Sequence, residues 1–496
     1  MSHGTDETHE TYGTTPAAAR TMRRTKIICT IGPVTESDDM LLALAEAGMN
    51  VARLNFSHGT HEEHGRKIAA IRRIEEKLWK PIAILQDLPG PKLRTGPMTP
   101  VTVDLSPGKR FIFTTRDVPG SADEVNLPHP ELVRKARPGQ QVFVADGDFE
   151  FQVEEVTDTD IITHVVVGGE LGGHKGINMP DAEVDLPSVT DADIEDLRFG
   201  LSQDVDWVAA SFVRRACDLD PIRSVIAASG KPVRLIAKIE KSEAVENIDS
   251  IIEAADGIMV ARGDLGVELP LEKVAGAQKM IISKCNEAGK PVITATQMLD
   301  SMIRNRRPTR AEVTDTANAV LDGTDATMLS GETAIGKYPV EAVLMMRAIL
   351  LETECSLDYC RFMQESLSRP ANTVTNAIAQ ATCSLAWDLS AAAIITPTSS
   401  GATARAVSQY RPSVPIIAAP TRLSTYRQLA LSWGVYPMLV APGVKTTDAM
   451  IEGAVHGASR LGIVRQGDTV VLTAGVPAGE PGRTNLIKVH VIGQDV

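Results

Sequence analysis

Eight short apolar runs, each of four to eight residues and rich in Val, Ile and Ala, recur along the first two thirds of the chain with helix-period segments between them. They are Lys26–Ile31, Asn50–Phe56, Ile82–Leu85, Trp207–Phe212, Leu235–Ile239, Gly257–Ala261, Pro291–Ala295 and Ala326–Leu329. Runs this short without alternation read as strands buried on both faces. Ser37-Asp38-Asp39 opens an amphipathic stretch that Gly48 closes, a matched helix start and stop. Strand–helix alternation implies a parallel α/β sheet, and eight candidate strands imply a closed (β/α)8 TIM barrel.

The rhythm breaks once. From Gly90 to Pro187 helical patterning gives way to Thr, Val and Phe runs punctuated by Pro-Gly, Asp-Gly and Gly-Gly. This predicts an inserted all-β domain after the third strand, residues 90–187. The barrel then covers residues 23–89 and 188–358. A C-terminal α/β domain, 359–496, follows, with strands expected at Ala392–Thr396, Ile416–Ala419, Tyr436–Val440 and Thr469–Thr473. Residues 1–22 are polar and read as a flexible N-terminal tail.

Composition narrows the function. Of 496 residues, 43% are apolar and 23% charged, an ordinary globular balance. The net charge of −13 argues against a nucleic-acid or anionic-membrane binder, so an anionic ligand must find a local positive pocket. The six cysteines are scattered without a CxxC pair, which suits free thiols in a reducing compartment. No uncharged apolar run approaches membrane-spanning length and no signal-peptide pattern is present. A cytoplasmic protein is expected.

Chemistry in such barrels sits at the C-terminal ends of the strands. There the sequence places Arg53-Leu54-Asn55-Phe56-Ser57-His58, Gln86-Asp87, Lys238-Ile239-Glu240, Arg262-Gly263-Asp264, Thr294-Ala295-Thr296-Gln297 and Ser330-Gly331-Glu332-Thr333. Any one polar strand end is unremarkable, but six at one rim point to a site. Alternation puts Lys238 and Glu240 on one face. Glu240 and Asp264 can chelate a hard divalent cation through oxygen, the few-ligand pattern of Mg²⁺, while Lys238 and Arg53 offer positive charge to a phosphate or carboxylate. A purely structural salt-bridge network would bury the same charges at considerable cost. Gly331–Tyr338 mimics a P-loop but ends in Tyr338 where Ser or Thr would be needed. His61 and His64 read as surface histidines.

NVARLNFSHG (50–59), GPKLRTG (90–96), IAKIE (236–240), MVARGDLGVELP (259–270), ITATQMLDSM (293–302) and MLSGETA (328–334) resemble, in order and spacing, the motifs of the pyruvate kinase family. The resemblance runs from Thr25 to the C-terminus. It implies the three-domain fold above and phosphoryl transfer from phosphoenolpyruvate to ADP. By resemblance, Arg53 contacts the transferring phosphate and Lys238 stabilises its transition-state charge. Glu240 and Asp264 hold Mg²⁺, with Mn²⁺ as a substitute. Gly263 and Asp264, with Thr296, seat the substrate carboxylate. Thr296 and Ser330 lie on the proton route to the enolate. Asn55, Phe56, Ser57, His58, Arg94 and Lys175 meet the nucleotide, the insert closing as a lid.

Many members of that family bind K⁺ near Asn55, Ser57 and Asp87, and carry Thr and Glu where this chain has Leu88 and Lys92. Leu88 offers only its carbonyl, and the Lys92 ammonium can supersede the ion; the resemblance to a Lys-bearing subset implies an enzyme that does not require K⁺. In the C-terminal domain, Thr398, Ser399, Ser400, Gly401 and Thr403 form a hydroxyl-rich loop before a helical pattern. With Arg483 from a second loop, it resembles the family's site for a phosphorylated effector. A homotetramer is expected by resemblance alone. Two other readings fit parts of the pattern: a Mg²⁺-dependent barrel aldolase or lyase acting on a pyruvate enolate, and a catalytically dead metabolite sensor.

Overall fold

The structure, a computed structural model, describes residues 22–180, 182, 187–367, 371–440, 447–476 and 484–494. The expected tail lies outside them but for Met22, as does Arg483. The chain divides into two compact units, residues 26–347, and residues 348–496 together with the stretch before Lys26.

In the first unit eight parallel strands close a barrel in sequence order: β1 Lys26–Thr30, β2 Val51–Asn55, β3 Ala83–Asp87, β4 Trp207–Ala210, β5 Arg234–Ile239, β6 Gly257–Ala261, β7 Val292–Ala295 and β8 Ala326–Leu329. β8 returns to β1 with Lys26 opposite Ala326. Six of the eight are buried at every position, which is why they read as unbroken apolar runs. The other two open at polar positions, Arg53 and Asn55 of β2 and Lys238 of β5.

Helix α1 spans Asp38–Ala47, with the Ser37 side chain accepting from Met40 N and Gly48 closing the end at φ +138°. Helix α2, His61–Leu78, starts with a Thr60–Glu63 capping box. Helix α3, Arg262–Glu268, leaves β6 directly and carries Asp264 in its first turn.

The insert leaves after β3. It holds a six-stranded, mostly antiparallel sheet from Arg110 to Asn178 and a two-stranded ladder of Thr102–Leu105 with Gly169–Gly172. Phe111, Phe113 and Phe151 fill its core, with Phe113 edge-on to each of the other two at 5.3 and 5.1 Å. One helix that the pattern did not announce, Pro130–Lys135, starts on Pro130 at a position where the missing N–H costs nothing.

The second unit holds a five-stranded sheet in the order Val435–Pro437, Ile416–Pro420, Ala393–Thr398, Thr469–Ala474, Leu486–Val491. The last strand is antiparallel and was not foreseen. Its LIKVHV alternation, half exposed, is the available signal. No helix among the described residues is long and apolar enough to cross a membrane.

Candidate active site

Four charged side chains interlock at the C-terminal rim. Arg53, near the end of β2, donates from Nε to Asp87 Oδ2 at 2.6 Å and from Nη1 to Thr30 Oγ1 at 2.9 Å. Asp87, the last residue of β3, is 1% exposed. The Lys238 ammonium lies 3.3 Å from Asp87 Oδ1 and 2.9 Å from Glu240 Oε1, and donates to Ser211 Oγ at 2.7 Å. Ser211 in turn donates to the Leu88 carbonyl. The second Glu240 oxygen accepts from Phe212 N at 2.6 Å. The β5 alternation therefore brings amine and carboxylate to one face, as the sequence implies.

The titration of these groups follows from their neighbours. Burial disfavours charge on Asp87, but Lys238 and Arg53 outweigh it and hold the carboxyl below its ordinary range. Burial would also lower Lys238, yet Asp87 and Glu240 more than compensate, so the ammonium is held strongly protonated. Glu240 goes the other way. Burial pushes it up, and the nearby Asp264 adds to this against the pull of Lys238. Two cations thus balance two acids in the inner network, while Asp264 adds a further negative charge at the rim.

Asp264 is 22% exposed on its side chain and takes the Lys92 ammonium at 3.3 Å. Lys92 also reaches Asp146 of the insert at 3.1 Å. Among the described residues Lys92 makes no ion pair with Asp87 and no hydrogen bond to Asn55 or Ser57. Those acids and amides are occupied otherwise: Asp87 by Arg53 and Lys238, Asn55 Oδ1 by Ser57 N at 3.2 Å. The donor set suits a divalent cation. No group of three or more potential ligands is gathered among the described residues, but the Glu240 carboxylate, with Asp264 close enough to disfavour its charge, suits an ion completing its shell with water or substrate oxygens.

Gly263 lies against Thr296 so closely that a Cβ there would stand 2.9 Å from Thr296 Cγ2. Thr296 has φ +74°, a costly conformation for a β-branched residue. Arg262 holds it. Its guanidinium donates to the Thr296 carbonyl at 2.8 Å and is anchored on both Asp315 oxygens at 2.8 and 2.7 Å. Asp315→Asn is expected to lower activity about tenfold or more by letting Thr296 relax, with little change in melting temperature. Steady-state kinetics beside a thermal melt check this, and unchanged turnover would remove the clamp from the account. Ser330 is tied in through its backbone, its N–H donating to Glu332 Oε2 at 2.7 Å while Glu332 Oε1 accepts from Leu299 N at 3.0 Å.

Arg94 and Lys175 lie together on the insert. Arg94 bridges Gly176 and donates to the His174 carbonyl, while Thr95 pairs with Lys175 through the backbone. Among the described residues neither side chain bonds to the barrel rim. Insert and barrel are joined elsewhere. Buried Glu268, at the end of α3, accepts from Asn178 of the insert at 2.9 Å and from Lys241 at 2.6 Å through the same oxygen.

In the second unit Thr398 Oγ1 accepts from Gly401 N at 3.0 Å, Ser399 O accepts from Thr425, and Ser400 O accepts from Arg405. Gly401 has φ +79°, and Thr403 Oγ1 meets Thr484 Oγ1 at 2.8 Å.

Sequence reasoning missed Ser211, the Arg262–Asp315 clamp and the Asn178–Glu268–Lys241 link. Ser211 had a signal, since it is the polar residue next to last in the fourth apolar run, Trp207–Phe212. One reading is corrected. His61 is exposed, but His64 is 3% exposed, its ring packed flat on Phe56.

A closed parallel barrel with an inserted β domain and a charged rim at the strand C-termini has the layout of a barrel enzyme. Residues 22–343 match the model of the pyruvate kinase barrel domain and residues 376–490 that of the pyruvate kinase alpha/beta domain. The chain is 51% identical over 473 residues to a pyruvate kinase of Geobacillus stearothermophilus, covering 95% of this chain and 80% of that one. It is 46% identical to a pyruvate kinase of Clostridium acetobutylicum, covering 95% and 100%, and 46% identical to one of Staphylococcus epidermidis, covering 96% and 81%. The chain belongs to the pyruvate kinase family.

Proposed function

We propose that this enzyme transfers the phosphoryl group of phosphoenolpyruvate to ADP, giving pyruvate and ATP, with Mg²⁺, or Mn²⁺ in its place, held by Glu240 and Asp264. The observation that carries the reading is the Lys238 ammonium, 2.9 Å from Glu240 and 3.3 Å from Asp87 at the barrel mouth. Phosphoryl transfer asks the protein for position and charge rather than covalent chemistry. The inner network is charge-balanced, so a substrate bearing phosphate and carboxylate needs added positive charge. A divalent ion supplies it, polarising phosphate and enolate oxygens.

The residues divide the remaining work. Arg53, aimed by Asp87, orients the phosphate. Lys238 meets the charge that spreads over the transferring group. The backbone at Gly263 and Asp264, with the Thr296 hydroxyl, seats the carboxylate, and Thr296 and Ser330 pass the proton that turns enolate into pyruvate. The Asn55–His58 turn receives the nucleotide together with Arg94 and Lys175, which approach when the insert closes as a lid and excludes water. The domains are residues 23–89 with 188–358, the lid 90–187 and an effector domain 359–496. In the last of these the Thr398–Thr403 loop, with Arg483, takes a phosphorylated metabolite. The enzyme acts in the cytoplasm as a homotetramer.

A coupled assay of ADP-dependent pyruvate formation tests this. Turnover without nucleotide would favour the aldolase reading, and tight sugar-phosphate binding without turnover the sensor. The reading includes independence from K⁺. A half-buried ammonium at Lys92, beside Asp264, supplies fixed positive charge at the rim, although it does not reach Asn55, Ser57 or Asp87. Replacing K⁺ by tetramethylammonium should leave kcat/KM within about twofold, and Lys92→Glu should create a K⁺ requirement. Strong K⁺ activation of the wild type would refute this part.

A further inference from the structure

Phe56 of the Asn55–His58 turn belongs to a cluster of four rings, and the mechanism above does not use the other three, His61, His64 and Phe199. His64, in the first turn of α2, stacks on Phe56 with centroids 3.9 Å apart and planes 7° from parallel. His61 stacks on Phe199 at 4.4 Å and 5°, and its Nε2 meets Asp196 Oδ1 at 2.6 Å. Phe56 and Phe199 meet at a tilt, 6.2 Å apart. His64 Nε2 stands 2.9 Å from the carbonyl oxygen of His58.

These facts fix the state of the His64 ring. A carbonyl only accepts, so Nε2 carries the proton. The other nitrogen, Nδ1, is buried with no hydrogen-bond partner among the described residues. A second proton there would be a buried N–H without an acceptor, so the ring is neutral. Burial is the main cause holding its pKa below the ordinary value; Lys67 lowers it further, while the His58 carbonyl, Asp196 and Glu63 pull upward. The turn above is tight. Gly59 has φ +86°, and a Cβ on it would come within 2.9 Å of Glu63 and 3.5 Å of His64 Nε2.

We propose that His64 is a positioning residue for nucleotide binding: its neutral imidazole pins the His58 carbonyl and braces Phe56, holding the Asn55–His58 turn in the shape that receives ADP before ADP arrives. The inference rests on assigning that turn to the nucleotide. A preformed loop spares the ligand the cost of ordering it, so the effect falls on the nucleotide KM. Phosphoenolpyruvate, seated by Arg53 and Thr296, is untouched.

The test compares His64→Phe, which keeps a flat ring and loses the donor, with His64→Gln, which keeps an N–H. His64→Phe should raise the KM for ADP about tenfold, the size of one lost hydrogen bond, leaving kcat and the KM for phosphoenolpyruvate within about twofold. His64→Gln should recover part of the loss. A merely structural histidine would instead lower the melting temperature and shift both KM values together, or shift neither, and either result overturns the proposal. Ser57→Ala and Arg94→Ala serve in parallel. If they raise the KM for ADP while His64→Phe does not, His64 alone is misassigned. If none of the three does, the nucleotide is not held at this turn and the underlying assignment fails with it.

Discussion

The Lys238→Met variant is expected to form pyruvate about a thousandfold more slowly than the wild type. Lys238 is enclosed at the rim, 12% exposed on its side chain and bonded to three partners. In the proposed mechanism its charge acts where water cannot screen it, and acts most as negative charge spreads over the transferring group. Methionine keeps length and removes the ammonium. The loss should appear in kcat more than in either KM, because the interaction strengthens toward the transition state. The variant also leaves Asp87 and Glu240 short of a counter-charge, so a thermal melt must accompany the kinetics. Lys238→Arg separates the effects. It restores charge with altered geometry, and it should recover stability fully but activity only in part. A Met variant within tenfold of wild type would show that Lys238 does not act on the reacting group.

The second large effect concerns the cation. Stripping the enzyme with a chelator should abolish turnover, and Mg²⁺ should restore it. In Glu240→Gln the concentration of Mg²⁺ giving half-maximal rate should rise by at least about 10- to 100-fold, the loss typical of a weakened ligand shell. Glutamine preserves the acceptor for Phe212 N and removes the negative charge that faces Lys238, so a thermal melt accompanies the titration. Because burial and Asp264 hold Glu240 above its ordinary pKa, the wild type should bind Mg²⁺ less tightly as pH falls through that raised value, and the Gln variant should lose this dependence. Titrations of rate against Mg²⁺ at several pH values read both. An unchanged metal response in Glu240→Gln would remove Glu240 as a ligand.

Much of this architecture was legible in the chain. Eight strands buried on both faces leave unbroken apolar runs, and all eight appear within a residue or two of the expected positions. Lys238 and Glu240 were placed together because strand alternation is local and strict. What escaped depends on partners distant in sequence. Arg262 and Asp315, the latter on the helix Arg310–Leu321, are 53 residues apart and meet only in the folded barrel. His64 reads as one more polar residue at the start of an exposed helix, and nothing local shows that Phe56 folds over it. The short helix at Pro130 and the antiparallel last strand are brief elements whose partners, not propensity, decide them.

Asn178 and Lys241 share one oxygen of Glu268, on the same short helix that presents Asp264 in its first turn. A seven-residue rod cannot shift at one end alone. Under the proposed assignment of the metal to Asp264 and of the insert as lid, thermodynamic reciprocity applies: whatever factor the metal adds to closure of the β domain, closure must return to the metal. Enzyme saturated with nucleotide should therefore surrender its ion to a competing ligand more reluctantly than enzyme without it.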